Sequence, residues 1–169
     1  MKTLILPGYS LENKVWELEA QKHLPDSILY EWKNWEDPSQ AGIDMDYEIK
    51  KIVSTSAVNK SRINILAKSI GTWVLVNLIR EKRIKINNIV LCGIPLHDLS
   101  EGELDQYSSL IEINPKNISI IKNQEDPHGS FHEVKNFVGK INPDIKIVSK
   151  DRGDHNYPYF YSFKEFFKD

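Results

Sequence analysis

Three stretches of the sequence carry side chains that could act together on a carbonyl group. They are Ala67-Lys68-Ser69-Ile70-Gly71, Asn123-Gln124-Glu125-Asp126-Pro127-His128-Gly129 and Asp151-Arg152-Gly153-Asp154-His155-Asn156-Tyr157-Pro158. A serine hydroxyl is a poor nucleophile until a base takes its proton. An imidazole base in turn needs a carboxylate to fix its tautomer and stabilise the imidazolium. Ser69, Asp126 and His155 supply the three types in the order nucleophile, acid, base. Small residues two positions before and after Ser69 would let the backbone turn tightly and project the hydroxyl. The pentapeptide alone is a weak signal, and an N-cap serine for the following helix is the alternative.

Each assignment has competitors. Glu125 is adjacent to Asp126, Asp154 is next to His155 in sequence, and Asp126 could be an Asp-Pro turn residue. Neighbouring side chains rarely reach one another in the required geometry, which disfavours Asp154. Among the histidines, His128 shares a loop with Asp126 and is expected at the pocket edge, and His97 follows the fourth strand. His23 ends a helix, where its charge would oppose the dipole. His128 and His132 are four apart but no glutamate-bearing zinc motif accompanies them, so no metal site is assigned. Arg152-Gly153-Asp154 matches an adhesion tripeptide by coincidence, and Gly153 is expected to shape the loop that aims His155. Trp32 and Trp35 are expected in the core, with an acyl-pocket wall as the alternative. Lys68 could touch substrate or face solvent.

The elements that must position these groups alternate along the chain. Strands are expected at residues 3–6, 27–32, 63–67, 89–94, 118–122 and 145–149. Between them lie helices at 13–24 capped by Asn13, after Asp44, after Gly71, at 100–113, at 130–138 capped by Ser130, and at 158–167 with a proline at its start. Near-continuous β-branched strands separated by helices mean a parallel sheet covered on both faces, a three-layer α/β/α fold. Cys92 falls inside the fourth strand as a small core residue. No linker or repeat divides the chain, so residues 1–169 read as a single domain.

On these residues the chain resembles the α/β-hydrolase family over nearly its whole length. The order Ser69, Asp126, His155, each beyond its own strand, is the family's order. Its signature Gly-x-Ser-x-Gly appears with Ala67 in the first glycine position. Pro7-Gly8-Tyr9-Ser10 stands where members commonly carry His-Gly. The resemblance implies an oxyanion hole from the backbone N–H groups of Tyr9 and Ile70, and a six-stranded parallel sheet of order 2-1-3-4-5-6. The family's two leading antiparallel strands have no counterpart, giving a minimal version of the fold. Lids usually enter after the fourth strand, where only residues 96–116 are available. A shallow cleft follows, with His97, His128 and Tyr157 as candidate substrate contacts.

Composition bounds the rest. The chain has 169 residues, 40% of them apolar and 10% aromatic, enough to fill a core. With 22 basic against 24 acidic residues the net charge is -2, unlike the basic balance of most nucleic-acid proteins. Cys92 is the one cysteine, so neither an internal disulfide nor a cysteine-based zinc site is expected. No stretch approaches a membrane span, and Leu4-Ile5-Leu6 is too short for a secretory signal, so a cytoplasmic protein is expected. The acceptor patterns at Asn59 and Asn117 would then carry no glycan. The expected activity is that of a serine esterase-like hydrolase acting on a small acyl substrate (ester, thioester or amide), which needs no cofactor. The alternative is a hydrolase-fold binding protein with vestigial activity. Short acyl chains are expected to be preferred, because the 96–116 segment is acidic and poor in apolar residues.

Overall fold

The computed structural model describes residues 1–37, 39, 42–55 and 61–168. Six strands form one sheet: β1 (Thr3–Leu6), β2 (Ser27–Leu29), β3 (Ile63–Lys68), β4 (Ile86–Cys92), β5 (Ile118–Asn123) and β6 (Lys146–Lys150). Every pairing is parallel and the order is β2-β1-β3-β4-β5-β6, as the resemblance implies. The helices are α1 (Asn13–His23), α2 (Lys33–Glu36), α3 (Met45–Ser54), α4 (Ile70–Arg80), α5 (Glu101–Leu104), α6 (Phe131–Ile141) and α7 (Phe160–Phe166).

The strand pleat sorts the core into two layers. Leu4, Leu6, Ile65, Ala67, Ile89, Leu91 and Ile120 face a cluster completed by Ile49 and Ile52 of α3, Val74 and Leu75 of α4, and Val134 and Val138 of α6. Ile5, Leu66, Val90, Cys92 and Ile121 face the other way, onto Trp16 and Ala20 of α1 and Phe163 of α7. Both faces are thus covered, which is why the central strands lack polar alternation.

Several boundaries differ from the sequence expectation for local reasons. β2 stops at Leu29 because the Tyr30 N–H is taken by Glu17 Oε1 at 2.6 Å rather than by a neighbouring strand. β4 stops at Cys92 because Gly93 turns the chain with φ +67. Residues 100–113 are not one helix. A Ser100–Glu103 capping box starts α5, and a 3₁₀ stretch (Asp105–Glu112) follows. That stretch is tied to α4 through Ser109 Oγ on the Val76 carbonyl at 2.9 Å and a 2.6 Å bond between the Tyr107 and Thr72 hydroxyls.

Asn13 is the first helical residue of α1 rather than its cap. Its Nδ2 donates to Ser10 O and Oγ at 3.1 and 2.8 Å, and its Oδ1 accepts from Lys68. Asp44 and Ser130 do cap α3 and α6. Asn59 lies outside the described residues, and Asn117 is half-buried, with its Nδ2 on the Asn87 carbonyl at 2.9 Å. Among the described residues no helix is long and apolar enough to cross a membrane.

Candidate active site

The loops beyond the carboxyl ends of β1, β3, β5 and β6 meet at one edge of the sheet, where ligands bind in open parallel sheets. Ser69 leaves β3 with φ 53 and ψ -124, a positive φ that costs a non-glycine residue about 1–3 kcal/mol. The conformation is enforced from both sides. Ser69 N–H donates to the Cys92 carbonyl at 2.9 Å, and the Ser69 carbonyl accepts from Thr72 Oγ1 at 2.6 Å. Gly71 then lets α4 start hard against β1, since a Cβ there would lie 2.3 Å from the Leu6 carbonyl oxygen. The Ser69 hydroxyl makes no capping bond, so the N-cap alternative fails.

Asp126 is buried and saturated with donors. Its carboxylate accepts from His155 Nδ1 at 3.0 and 2.8 Å, from Lys122 Nζ at 2.9 Å, from the His128 N–H at 2.8 Å and from the Tyr157 hydroxyl. Burial opposes ionisation, but the bonds from His155, Tyr157 and Lys122 outweigh it and hold the carboxyl well below the usual aspartate range. His155 is shifted down from the ordinary histidine value, because burial outweighs the attraction of Asp126. Burial thus favours the neutral form of the imidazole, with Nδ1 engaged by Asp126. Its Nε2 is buried and has no hydrogen-bond partner among the described residues; the Ser69 hydroxyl shares its cleft without bonding to it.

Two tryptophans fix the loop after β1. Trp32 is fully buried and its indole N–H donates to the Gly8 carbonyl at 3.0 Å; Trp35 donates to the Tyr9 carbonyl at 2.8 Å. With those carbonyls held on the core side, the Tyr9 N–H has no acceptor among the described residues. The Ile70 N–H, at the first position of α4, is one of the orphan donors that every helix N-terminus presents. Both residues line a cleft of about 530 Å³ with Ser69, His155 and His128, walled by Ile43, Trp73 and Leu99 and rimmed by Asp98 and Glu103.

The structure brings Ser69, Asp126, His155, Tyr9, Ile70 and His128 together and corrects two of the candidate contacts. Tyr157 does not face the cleft. It is fully buried beneath His155 because its hydroxyl is drawn to Asp126. His97 does not line the cleft either, since its ring is turned to Glu133 at 3.1 Å and to the Pro127 carbonyl at 3.2 Å. His128 does, with Nδ1 2.6 Å from Asp98 Oδ2 and its ring 4.3 Å from that of His155.

The rivals separate as well. Glu125 is exposed, and Asp154 pairs with Arg152 and the Asn156 N–H. Gly153 has no special backbone role, since a Cβ there would meet nothing closer than 3.8 Å. The glycine that matters is Gly93, where a Cβ would strike the Tyr157 and His155 rings at 2.6 and 3.0 Å. Among the described residues no three His, Cys, Asp or Glu side chains are placed to share a metal ion.

Lys122, Gly93 and Trp73 were missed from the sequence. Lys122 left a trace as a lone lysine in an apolar strand four residues before Asp126, and Trp73 as an aromatic one helical turn after Ser69.

No protein-family model matches the sequence, and no curated protein matches it by sequence. Solved structures do match by shape. A YdeN-like hydrolase from Pectobacterium atrosepticum superposes with a TM-score of 0.72 at 14% identity over 99% of this chain and 90% of that one. An α/β serine hydrolase homologue from Coxiella burnetii gives 0.70 at 13%, covering 98% and 82%. An α/β serine hydrolase without a lid from Xanthomonas campestris gives 0.62 at 10%, covering 95% and 74%. At these identities the likeness is one of fold: this chain has the α/β-hydrolase fold.

Proposed function

We propose that this chain is a serine hydrolase that cleaves an ester, thioester or amide of a small acyl substrate through an acyl-enzyme. One observation carries the reading. A serine strained into a positive φ and an imidazole whose buried Nε2 is unpartnered among the described residues line the same cleft, and the other ring nitrogen is locked on the buried Asp126 carboxylate. A purely structural loop gains nothing from such an arrangement, whereas a substrate would complete it.

In the proposed reaction Ser69 Oγ attacks the carbonyl carbon as His155 Nε2 takes the hydroxyl proton. The imidazolium is stabilised by Asp126, and the carbonyl π electrons move onto oxygen. That oxyanion accepts from the Tyr9 and Ile70 N–H groups, which cost no reorganisation because the tryptophans and the helix already hold them. Collapse of the intermediate breaks the bond to the leaving group, which takes the proton from His155. Water, deprotonated by His155, then repeats the attack on the acyl-serine and frees the acid. The open Ser69–His155 contact is the usual looseness of an unliganded site.

A fluorophosphonate probe tests this directly. The expected outcome is stoichiometric labelling of the folded protein and none of Ser69→Ala. No labelling of the folded wild type would make the chain a binding protein on a hydrolase fold. Acyl preference follows from the cleft walls. Leu110 is consumed by the core and Leu99 alone of the 96–116 leucines reaches the cleft, so kcat/KM for p-nitrophenyl esters should peak near acetate or butyrate. A tenfold or greater rise from butyrate to decanoate, each methylene contributing about 0.8 kcal/mol, would require an apolar tunnel that these walls do not provide.

A further inference from the structure

Behind His155 lies a second cleft, of about 510 Å³, that the reaction above leaves unused. It shares Ser10, Asn13 and His155 with the first and runs past Lys68 and Trp16 to Phe160. Lys68 is the last residue of β3 and only 7% exposed. Its ammonium donates to Asn13 Oδ1 and sits 5.6 Å from the centroid of the Trp16 ring, and among the described residues no carboxylate lies within ion-pair distance. Three N–H bonds radiate from an ammonium and one is used. The other buried lysine among the described residues, Lys122, has Asp126 as its counter-ion. Lys68 has none within ion-pair distance, and burial presses its pKa down, the more distant Cys92 and Asp126 opposing this only in part.

The neighbouring groups are arranged to receive, not to neutralise. Asn13 is anchored by two bonds to Ser10, which aims its oxygen at Lys68. The Ser10 hydroxyl accepts from Asn13 and has no acceptor of its own among the described residues. Of the acidic residues on this cleft, Glu19 is paired with Lys22 at 2.5 Å and Glu12 is exposed to solvent. Each cleft is lined by two carboxylates, Asp98 and Glu103 in the first and Glu12 and Glu19 in the second, but among the described residues only the second also holds a lysine, and that lysine has no carboxylate within ion-pair distance.

We propose that the second cleft holds an anionic group, carboxylate or phosphate monoester, carried on the part of the substrate that leaves. The assignment rests on the hydrolase reading of the site. His155 must deliver its proton to the leaving atom, so the leaving portion lies on the His155 side, away from the Tyr9 and Ile70 donors. Among the described residues no lysine or arginine lines the first cleft, so an anion on the acyl side would meet no such cation there. In the second, the anion accepts from the two free N–H bonds of Lys68 and from the Ser10 hydroxyl, and it restores to the ammonium the stabilisation lost on burial.

The test uses acetate esters of glycolate, 3-hydroxypropionate and 4-hydroxybutyrate, each paired with its primary amide, and the acetate ester of 2-hydroxyethyl phosphate paired with its neutral dimethyl phosphate triester. Rates are normalised to the hydroxide-catalysed rate of each compound. In the wild type the best carboxylate or the phosphate should exceed its neutral partner by about ten- to hundredfold in kcat/KM, and the stronger arm identifies the anion. In Lys68→Met that ratio, measured within one protein, should fall to near one, and Lys68→Arg should retain part of it.

Equal rates for charged and neutral esters in an active wild type would overturn the anion site and leave the hydrolase reading standing. Should Lys68→Met fail to fold, competitive inhibition of the wild type by the free hydroxy acids decides. Inhibition at least tenfold tighter than by the hydroxy amides supports the site, and equal inhibition overturns it. Should no ester be cleaved and no fluorophosphonate label be taken, the hydrolase reading fails. Calorimetry of the same hydroxy acids and of 2-hydroxyethyl phosphate then judges the anion site alone: binding supports it and no binding overturns it.

Discussion

Asp126 and Glu17 are both nearly inaccessible to solvent, 3% and 1% exposed, yet very different numbers of donors reach them. Asp126 receives His155, Lys122, Tyr157 and the His128 N–H. Glu17 receives the Tyr30 N–H at 2.6 Å. Burial pushes Glu17 up to about 7, the Tyr30 bond only partly opposing it, with Glu31 adding to the rise and Lys14 offsetting some of it. Asp126 is held down by its partners. Depth in the protein therefore does not set the charge of a carboxylate; the count and charge of its donors do. At the candidate site the sequence has invested four donors in one anion, whereas the edge beside α1 keeps a carboxylate that stays protonated until near neutrality.

The largest effect that would break this comparison is at Asp126 itself. In Asp126→Asn the amide would donate toward His155 Nδ1 and favour the wrong imidazole tautomer, so kcat on p-nitrophenyl acetate should fall by about 10³–10⁴-fold. The fold should survive, read by circular dichroism. A loss below tenfold would mean that the saturated anion serves packing and not the reaction.

Next in size, Lys122→Met removes the lysine that is ion-paired with Asp126. Breaking a buried pair by deleting one partner costs about 3–5 kcal/mol, and the three remaining donors place the expectation near the lower end, measured by urea unfolding at pH 7. The pH dependence has a definite sign. Asp126 has a depressed folded pKa, so its contribution is present above the unfolded value and is lost as pH falls through the folded one. Without Lys122 the folded value rises, and acid unfolding should begin at a higher pH than in the wild type. An unchanged acid transition would sink the claim that Lys122 holds Asp126 ionised.

The smallest expected effect is at Glu17, where the sign reverses. Its folded pKa is raised, so its contribution is full below the ordinary value of 4.5 and is lost as pH rises through about 7. Glu17→Gln keeps an acceptor for the Tyr30 N–H but cannot ionise. The wild type's decline in stability between pH 5 and pH 8 should shrink in this variant by about 2–2.5 kcal/mol. A parallel decline in both proteins would show that Glu17 is already ionised at pH 5.

The six strands, the intervening helices other than the 100–113 stretch, and the loops bearing Ser69, Asp126 and His155 were legible in the sequence. Each rests on short-range regularities: β-branched runs that signal buried parallel strands, Gly and Pro that stop them, and small residues around a serine at a strand-to-helix turn. The strand order was available only through resemblance, because nothing local states which strands pair.

What tertiary structure alone decided is who touches whom. Tyr157 reads as a loop aromatic, and only the approach permitted by Gly93 sends it under His155 to Asp126. Trp32 and Trp35 read as core or pocket wall, and only the fold shows their indoles gripping the carbonyls of Gly8 and Tyr9. Lys68 was undecided between substrate and solvent, and its place beneath a second cleft depends on α1 crossing the end of β3. The physical reason is common to all of them. Periodicity and turn chemistry report forces that act over a few residues. Hydrogen bonds change sign of usefulness over a few tenths of an ångström, between residues that are far apart along the chain, and that geometry exists only once the layers have packed.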